Sequence, residues 1–329
     1  MTRIGLIGAG FFGAVHARAL ARIPGAELAA VSSGEFESAR AFAAQFGGRA
    51  HADWRALLDD PAVEVVAIAT PHALHADIAI AALEAGRHVF LEKPMAATTE
   101  QCRALEAAAA GATGLLMIGH VMHFFRPIMA ACEIVASGEL GRPVLGRSAL
   151  IKLWMESNRR PWHLSPESGG GMLMTAGIHA LDQLVWLMEG RVASVTALAG
   201  TLFHEQAADD SAFLGLRFAD GRIGQVASIG YRDGAVTNGL ELVCERGVVA
   251  VDLDSGVRVG QGGAWRAIAG SWEENGMDEA VLREWNAFLG AIAQGTEVPV
   301  GPAYGRHIVE IIHAALRSSA ERQEIAVAV

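Results

Sequence analysis

Short apolar segments alternate with amphipathic helical segments along the first third of the chain. The apolar segments end at glycine, proline or polar residues and occupy residues 4–7, 28–31, 63–69, 88–91 and 115–118. Continuous apolar strands that alternate with helices are typical of βαβ units, whose parallel sheet is covered on both faces. The pattern therefore predicts a doubly wound parallel sheet over residues 1–120, which binds ligands beyond the carboxyl ends of its strands.

The pattern changes after about residue 120, where extended segments predominate. They occupy residues 144–154, 195–203, 212–218, 222–229, 240–244 and 248–252. Short turns, such as the hairpin signal Ala219-Asp220-Gly221, favour an antiparallel sheet. Helices are predicted over residues 128–136, 172–188, 279–293 and 305–320. Residues 121–329 are therefore expected to form a second, α+β domain.

The first strand is followed by GAGFFG, in which Gly8, Gly10 and Gly13 match the pattern GxGxxG. In dinucleotide-binding folds the first glycine permits a tight turn, the second lets the backbone approach the pyrophosphate, and the third lets helix pack on strand. The N-terminus of the following helix faces the phosphate charge. Because the motif stands between a strand and a helix, we expect a bound dinucleotide rather than a purely structural glycine turn.

The end of the second strand bears on the choice of cofactor. An acidic residue there normally binds the ribose hydroxyls of NAD, but this chain has Ser33. The missing charge removes repulsion against a 2′-phosphate and slightly favours NADP, although the nearest arginine, Arg40, lies on the following helix. Glu35 keeps NAD open as the alternative.

Glu92-Lys93-Pro94 ends the fourth predicted strand. An ammonium group at the carboxyl edge of the sheet can stabilise a developing alkoxide or exchange a proton with a substrate hydroxyl. Lys93 is therefore a candidate catalytic residue, with an ordinary surface lysine as the alternative.

The segment GGGMLMTAGIHALD carries the second candidate group. Thr175 and His179 are four residues apart and share one face of the predicted helix, and Asp182 lies three residues further on, where it could orient the imidazole. A histidine at this place can act as a general acid or base, and a structural histidine is the alternative.

Composition and charge exclude several classes of protein. The formal net charge of -10 disfavours binding to nucleic acid or to an anionic membrane. The three cysteines are well separated and form no CxxC pair, which fits reduced thiols in a cytoplasmic protein. Residues 107–125 lack formal charge, but their glycines and histidines favour a helix end, a turn and a buried strand over a membrane span.

Two histidine pairs invite a metal hypothesis. His72 and His75 are three residues apart, as are His120 and His123. Neither pair has a carboxylate or cysteine cluster nearby in the sequence to complete a ligand set, so no metal site is expected.

Three segments together resemble the Gfo/Idh/MocA oxidoreductases, namely GAGFFGAVHARAL, ATPHALHADIAIAALEAGRHVFLEKP and GGGMLMTAGIHALDQLVWLMEG. The resemblance implies a Rossmann domain followed by a domain with a large open, mainly antiparallel sheet, which forms homodimer or homotetramer contacts. It also implies an enzyme that transfers a hydride between nicotinamide and a secondary alcohol or ketone carbon of a sugar, cyclitol or related cyclic polyol.

The resemblance further assigns roles to individual residues. Lys93 would lie close to the reacting oxygen, and His179 would be the active-site histidine. The residues that would cradle the pyrophosphate are Gly8, Gly10, Phe11, Phe12 and Gly13. The other cofactor contacts would be Thr70, Pro71 and His75, with Glu92 near the nicotinamide ribose.

Two positions depart from the family pattern. Many members carry an aspartate where this chain has Thr175, so proton transfer falls to Lys93 or His179. Members also often place arginine or asparagine after the strand, where this chain has His120. We therefore expect an altered substrate.

Trp162 and His163 are further candidates for substrate contact. They lie beside Lys152, Trp154, Arg159 and Arg160, just before the glycine-rich segment. Together these side chains could line a pocket for a polar or carboxylated ring, or they could form a surface loop held by tryptophan packing.

Two other functions stay open. A glycosidase-like lyase that uses tightly bound NAD transiently would show no net change in NADH absorbance. A cofactor-sensing binding protein without turnover is prompted by Thr175, but the intact Lys93 and His179 argue against it.

Overall fold

The computed structural model describes residues 1–327 of the 329-residue chain. These residues form two compact units. The first contains Met1–Val121 and Met277–Arg306, and the second contains Met122–Gly276 and the chain from His307 onward. The sequence predicted a first domain over residues 1–120, whereas the first unit also includes Met277–Arg306. The assignment of the units to cofactor and substrate domains stays a prediction.

A six-stranded sheet forms the centre of the first unit. Its strands are β1 (Thr2–Ile7), β2 (Ala26–Ser32), β3 (Arg49–His51), β4 (Val65–Ile68), β5 (His88–Glu92) and β6 (Leu116–Gly119). They lie in the order β3-β2-β1-β4-β5-β6, and every pair is parallel. This is the order of the doubly wound dinucleotide-binding fold, so the prediction for this part of the chain is confirmed.

Helices connect these strands. They are α1 (Phe11–Leu20), α2 (Phe36–Phe46), α3 (Trp54–Leu58), α4 (His75–Glu84) and α5 (Thr99–Gly111). α5 begins at a capping box, in which Thr98 Oγ1 accepts from the Gln101 N–H and the Gln101 side chain accepts from the Thr98 N–H. Two otherwise unpaired donors are satisfied in this way.

The second unit contains a nine-stranded sheet. Its strands are β7 (Pro143–Leu153), β8 (Val192–Gly200), β9 (Ser211–Phe218), β10 (Ile223–Tyr231), β11 (Thr237–Cys244), β12 (Gly247–Asp252), β13 (Gly256–Gln261), β14 (Ala264–Ala267) and β15 (Ile325–Ala326). The order is β14-β13-β12-β11-β7-β10-β9-β8-β15. All pairs are antiparallel except β7 with β10, which are parallel. The prediction of a mainly antiparallel sheet is therefore confirmed.

The remaining helices are α6 (Arg126–Ala136), α7 (Ile178–Met188), α8 (Gly276–Gln294) and α9 (Pro302–Glu321). α7 packs on β7, β10 and β11 on one face of the second sheet. Gly146 of β7 faces this helix, since a Cβ there would lie 2.5 Å from Leu184 Cδ1. The alternation of buried and exposed residues along β9 leaves the opposite face open.

Two local predictions meet different outcomes. The hairpin predicted at Ala219-Asp220-Gly221 is confirmed, because β9 and β10 pair as antiparallel neighbours on either side of it. The helical segment predicted over residues 172–188 is confirmed in its extent, but it is not uniformly α-helical, since the π-helical turn Leu173–Gly177 leads directly into α7.

The uncharged segment 107–125 contains the end of α5, the strand β6 and a short 3-10 turn. Of the helices in residues 1–327, none is long and apolar enough to cross a membrane.

Candidate cofactor and catalytic site

The glycine loop between β1 and α1 uses its three glycines for different reasons. Gly8 has a φ of 117°, and a Cβ there would lie 2.3 Å from the Ala69 carbonyl oxygen. A Cβ at Gly13 would lie 2.1 Å from the Gly8 carbonyl oxygen. A Cβ at Gly10, by contrast, would meet no described atom within 4 Å. The protein's own packing thus requires the outer two glycines, while the middle one leaves its backbone open to a ligand.

The start of α1 suits an anion. Gly10 precedes the helix in an extended conformation and provides no side-chain cap, and the first turn contains no acidic residue. The N–H groups of a first helical turn lack intrahelical acceptors, and the helix dipole makes this end positive. Phe11 at the first helical position is 68% exposed. The loop therefore fits the pyrophosphate of a dinucleotide.

The end of β2 carries little charge. Ser33 follows the strand and is half-buried, and the exposed Glu35 precedes α2. Arg40 binds Glu37 on the surface of α2, with its Nη1 at 3.0 and 3.1 Å from the two carboxylate oxygens. The nearest arginine in the sequence is therefore already engaged with a carboxylate.

His75 connects two loops at the carboxyl edge of the first sheet. Its Nδ1 lies 2.8 Å from the Pro94 carbonyl oxygen and its Nε2 lies 3.0 Å from the Thr70 carbonyl oxygen. Burial holds the pKa of His75 below its ordinary value, although both carbonyl oxygens act in the opposite direction. A neutral imidazole donates through one nitrogen only, so one carbonyl is satisfied at a time. His75 is fully buried, and its predicted contact with a cofactor stays a prediction.

Glu92 and Lys93 stand at the end of β5. Glu92 is 6% exposed, and its Oε1 lies 3.0 Å from His16 Nε2. The Trp285 indole N–H donates to His16 Nδ1 at 3.0 Å. Lys93 is half-buried and precedes a cis peptide bond to Pro94.

His16 and Trp285 were not predicted as site residues from the sequence. His16 lies within a segment quoted for the resemblance, three residues beyond the glycine motif, which is a signal that could have drawn attention to it. Trp285 lies on α8 and has no such signal, because its partner is 269 residues away along the chain.

The turn that carries Thr175 is π-helical. Thr175 is 8% exposed, and its N–H donates to the Gly171 carbonyl oxygen at 3.0 Å. A Cβ at Gly177 would lie 2.1 Å from Ser228 Oγ on β10, so the turn lies directly against the sheet. His179 follows at the start of α7 and is half-buried. Single π-helical turns within helices are frequent at functional sites.

Asp209 holds the beginning of this turn. Its Oδ2 accepts from the Leu173 N–H at 2.8 Å, and its carbonyl oxygen accepts from the Met172 N–H at 2.9 Å. Burial raises the pKa of Asp209 to about 6. No pattern in the sequence had singled out this residue.

Asp182 pairs with His123, which the sequence analysis considered only as a candidate metal ligand. Its Oδ1 lies 2.8 Å from His123 Nε2, and both side chains are buried. The His123 ring stacks on Trp186, with 3.9 Å between the ring centroids. The predicted action of Asp182 on the His179 imidazole stays a prediction.

The loop before the glycine-rich segment is tied together internally. Glu156 binds both Lys152 and Arg159 at 2.8 Å, and the Arg159 guanidinium lies 4.3 Å from the centroid of the Trp154 ring. These contacts favour the interpretation of a loop held by tryptophan packing, since Lys152 and Arg159 both bind Glu156 and Arg159 also packs on Trp154.

The predicted substrate residues Trp162, His163 and His120 each contact an aromatic ring. The rings of Trp162 and His163 stack with 3.6 Å between their centroids, and His163 Nδ1 lies 3.0 Å from the Arg160 N–H nitrogen. His120 is fully buried and meets Tyr304 edge to face at 5.6 Å.

Each unit brings one group of predicted residues together. In the first unit, the glycine loop, Ser33, Thr70 and Lys93 follow the carboxyl ends of β1, β2, β4 and β5, which are neighbouring strands. In the second unit, Thr175 and His179 lie on the π-helical turn and the start of α7. Within residues 1–327, no group of three or more histidine, cysteine or acidic side chains is placed to hold a metal ion.

Two family descriptions match the chain. Residues 2–120 match the oxidoreductase family with an NAD-binding Rossmann fold, and residues 128–250 match the GFO/IDH/MocA C-terminal domain.

Relatives with named functions include dehydrogenases and a hydratase. A 1-carboxy-3-chloro-3,4-dihydroxycyclohexa-1,5-diene dehydrogenase of Comamonas testosteroni is 36% identical over 62% of this chain, and the match spans only 52% of that protein. An inositol 2-dehydrogenase of Rubrobacter xylanophilus is 29% identical over 91% of this chain and 85% of its own length. A 2,7-anhydro-N-acetylneuraminate hydratase of Mediterraneibacter gnavus is 31% identical over 66% of this chain and 58% of its own length.

Solved structures match over nearly the whole chain. A levoglucosan dehydrogenase in complex with NADH and levoglucosan is 26% identical, with a TM-score of 0.90 and full coverage of both chains. GenD2 from gentamicin A biosynthesis, in complex with NAD, is 27% identical, with a TM-score of 0.89 over 100% of this chain and 97% of its own. Because the family descriptions cover most of the sequence, and fold and glycine loop agree with them, the chain belongs to the Gfo/Idh/MocA oxidoreductase family, with an NAD-binding Rossmann fold.

Proposed function

We propose that the protein is an NAD(P)-dependent oxidoreductase that transfers a hydride between nicotinamide and a secondary alcohol or ketone carbon of a sugar, cyclitol or related cyclic polyol. The glycine loop carries this proposal, because Gly8 and Gly13 are required by packing while Gly10 leaves the backbone open for phosphate. The names of the relatives, which include inositol and levoglucosan dehydrogenases, support the substrate class.

The residues of this chain would hold the cofactor and manage the proton. The first-turn N–H groups of α1, at Phe11, Phe12 and Gly13, would bind the pyrophosphate, and Thr70 and Pro71 would line the remaining cofactor surface. The cofactor supplies hydride acceptance and donation when it is bound.

Lys93 is the proposed proton-handling group. In the oxidative direction the neutral Lys93 amine would take the hydroxyl proton, and in the reductive direction its ammonium form would stabilise the developing alkoxide and return that proton to it. His179 is a second residue that we propose for proton transfer. A hydroxyl group cannot replace a carboxylate as a base. The role that we propose for the Thr175 hydroxyl is therefore to orient the substrate hydroxyl by a hydrogen bond.

Trp162, His163 and His120 are the proposed substrate-side residues. The stacked rings of Trp162 and His163 offer a flat surface of the kind on which the apolar face of a sugar or cyclitol ring packs. His120 would act through its packing on Tyr304, because it is fully buried.

For the cofactor we propose that NAD(H) is used and that NADP(H) is also admitted. Structures of relatives contain NAD or NADH, which supports the first statement. Ser33 follows β2 where a carboxylate would repel a 2′-phosphate, which supports the second. Calorimetric titration with NAD(H) tests the first statement, and titration with NADP(H) tests the second.

We also propose a homodimer or homotetramer formed through the open face of the second sheet. Neighbouring strands align an apolar row across this face, composed of Gly239, Ala149, Ala227, Phe213 and Leu198. Leu198 is 76% exposed and Phe213 48%, and such rows mark contact surfaces. Cys102, Cys132 and Cys244 are not joined by disulfide bonds, which supports the proposal of a cytoplasmic location.

A second candidate function is a lyase or hydratase that oxidises its substrate transiently and returns the hydride. The hydratase among the relatives favours it. Both functions require the same cofactor loop and the same lysine, and they differ only in whether reduced cofactor accumulates.

The experiment is a screen of polyols, sugars and cyclic diols with NAD+ or NADP+, followed by the absorbance of reduced nicotinamide and by mass analysis of products. Accumulation of reduced cofactor together with a ketone product supports the oxidoreductase. A converted substrate without net reduction supports the transient-redox function. If neither cofactor binds, both proposals are wrong.

A further inference from the structure

A buried hydrogen-bond chain links the glycine loop's helix to the strand that precedes Lys93. It runs from Trp285 on α8, through His16 on α1, to Glu92 at the end of β5. His16 and Trp285 are fully buried, and Glu92 is 6% exposed. All three lie in the first unit.

The chemistry of the partners fixes the proton in this chain. An indole N–H only donates, so His16 Nδ1 must accept from Trp285. The proton of the neutral imidazole is therefore on Nε2, which donates to the Glu92 carboxylate at 3.0 Å. A buried carboxylate is costly unless hydrogen bonds compensate for lost water, and this bond supplies such compensation.

Packing holds the imidazole in place. Phe90 stacks on Trp285 at 4.6 Å between ring centroids, and Phe12 of the glycine loop meets His16 edge to face at 5.4 Å. The absence of a side chain at Gly119 makes room for the carboxylate, since a Cβ there would lie 3.0 Å from Glu92 Oε1. The orientation of Glu92 is thus set by aromatic residues on α1, β5 and α8.

The position of Glu92 on the sheet relates it to the nicotinamide. In a doubly wound sheet the dinucleotide crosses the carboxyl edge, with the pyrophosphate at the β1 loop and the adenosine ribose at the end of β2. The other half of the cofactor would then lie over the side of the sheet formed by β4 and β5, where Glu92 ends its strand. The oxidised nicotinamide ring carries a positive charge, which the reduced ring lacks.

We propose that His16 is a positioning residue that holds the Glu92 carboxylate in place at this edge, and that its negative charge favours oxidised over reduced cofactor. The inference rests on the proposed function. It assigns to His16 a role in redox-state preference and not only in packing.

The test is calorimetric measurement of the affinities for NAD+ and NADH in the wild type and in matched variants. Glu92→Gln and His16→Met should each lower the affinity for NAD+ relative to that for NADH by at least about threefold. Glu92→Gln removes the negative charge, and His16→Met removes the hydrogen bond that holds the carboxylate in place. His16→Gln should keep the wild-type ratio within about twofold, because its amide N–H can replace the Nε2 donor.

His88→Met is the matched control. His88 stands at the opposite end of β5, where its Nδ1 accepts from the Leu115 N–H at 3.0 Å. The ratio of the two affinities should be unchanged in this variant.

An unchanged ratio in Glu92→Gln would overturn the role of the charge, and an unchanged ratio in His16→Met alone would overturn the role of His16. If His16→Met does not fold, Trp285→Phe tests the same link, and an unchanged ratio there counts against it. If the wild type binds neither cofactor, the proposed function itself is wrong, which is a distinct result.

Discussion

Gly10 and Gly13 are three residues apart but meet different physical requirements. Gly13→Ala would place a Cβ 2.1 Å from the Gly8 carbonyl oxygen, whereas Gly10→Ala would meet no described atom within 4 Å. We expect Gly13→Ala to lower the free energy of unfolding by about 1–3 kcal/mol, as overpacking does. Gly10→Ala should leave stability within about 0.5 kcal/mol and weaken NAD+ binding at least about tenfold. Urea denaturation and calorimetry measure the two effects.

The two variants serve as controls for each other. A Gly13→Ala protein with the wild-type free energy of unfolding would contradict the packing described for the loop. A Gly10→Ala protein with wild-type affinity for NAD+ would contradict the proposed path of the pyrophosphate.

Asp209 provides a pH-dependent contribution to stability. Burial raises the pKa of Asp209 to about 6, above its value in an unfolded chain, so the folded state binds this proton more tightly. Its contribution to stability is therefore present at low pH and is lost as the pH rises through about 6. Asp209→Asn should raise the free energy of unfolding near pH 8 by on the order of 1–3 kcal/mol, with the difference disappearing toward about pH 4.

Asp210→Asn is the control with the opposite sign. Burial raises the pKa of Asp210, but hydrogen bonds from the N–H groups of Leu202, Phe203 and His204 outweigh it and hold the pKa below its usual range. This substitution should destabilise the protein near neutral pH. Denaturation curves across the pH range distinguish the two residues. Equal changes in the free energy of unfolding for Asp209→Asn and Asp210→Asn would contradict the opposite pKa shifts of the two carboxyl groups.

Candidate site residues can be proposed from the sequence where a local motif signals them. The glycines, Lys93 and His179 lie in short patterns whose chemistry can be inferred from neighbours in the sequence. The pairs His16 with Trp285 and His123 with Asp182 are separated by 269 and 59 residues, and no local pattern announces such contacts. Only the folded chain shows which acceptor each donor reaches.

Among the elements, the π-helical turn Leu173–Gly177 is the one that positions Thr175. Gly177→Ala would place a Cβ 2.1 Å from Ser228 Oγ and 2.6 Å from Ser228 Cβ. We expect a loss of about 1–3 kcal/mol in the free energy of unfolding, because neither backbone can move freely. The double variant Gly177→Ala/Ser228→Gly should recover at least about 1 kcal/mol of that loss, since it removes the colliding atoms.

Gly290→Ala is the matched control for this cycle, because a Cβ there meets no described atom within 4 Å and the residue lies in α8. It should stabilise the protein by about 0.5–1 kcal/mol. Additive effects of Gly177→Ala and Ser228→Gly in chemical denaturation would contradict the close contact of the turn with β10.

Elements of regular period were predictable, and irregular ones were not. The apolar strands of the first sheet and the β9–β10 hairpin follow from composition and turn residues. The π-helical turn has the same apolar character as the α-helix that it precedes, so its residues carry no separate signal. The two-residue strand β15 is too short for any pattern.

For the whole molecule, the order of the first sheet follows from its βαβ pattern, but the order of the second does not. β7 pairs with β10 and β11, which lie about 70 to 90 residues further along the chain, and pairs with β10 in parallel. Hydrophobic pattern specifies which face of a strand is buried but not its neighbour. The grouping of Met277–Arg306 with the first unit is likewise a property of the folded chain.

The proposed oligomer belongs to this scale. Phe213→Asp introduces a charge into the apolar row on the open face of the second sheet, where Phe213 is 48% exposed. We expect it to dissociate the assembly into monomers without unfolding them, because the side chain is not needed to fill the core. Val236→Asp, on a loop and 57% exposed, should leave the assembly intact. Light scattering after gel filtration measures both, and a wild-type monomer would contradict the proposal.

The measurement that tests the proposed function most directly compares the wild type with Lys93→Met. Each protein is titrated with NAD+ or NADP+ and then assayed with the best alcohol from the screen. We predict that both proteins bind cofactor with similar affinity, and that turnover falls by at least about a thousandfold in the variant because the proton-handling group is lost. Undiminished turnover in Lys93→Met, or a wild type that binds neither cofactor, would contradict the proposal.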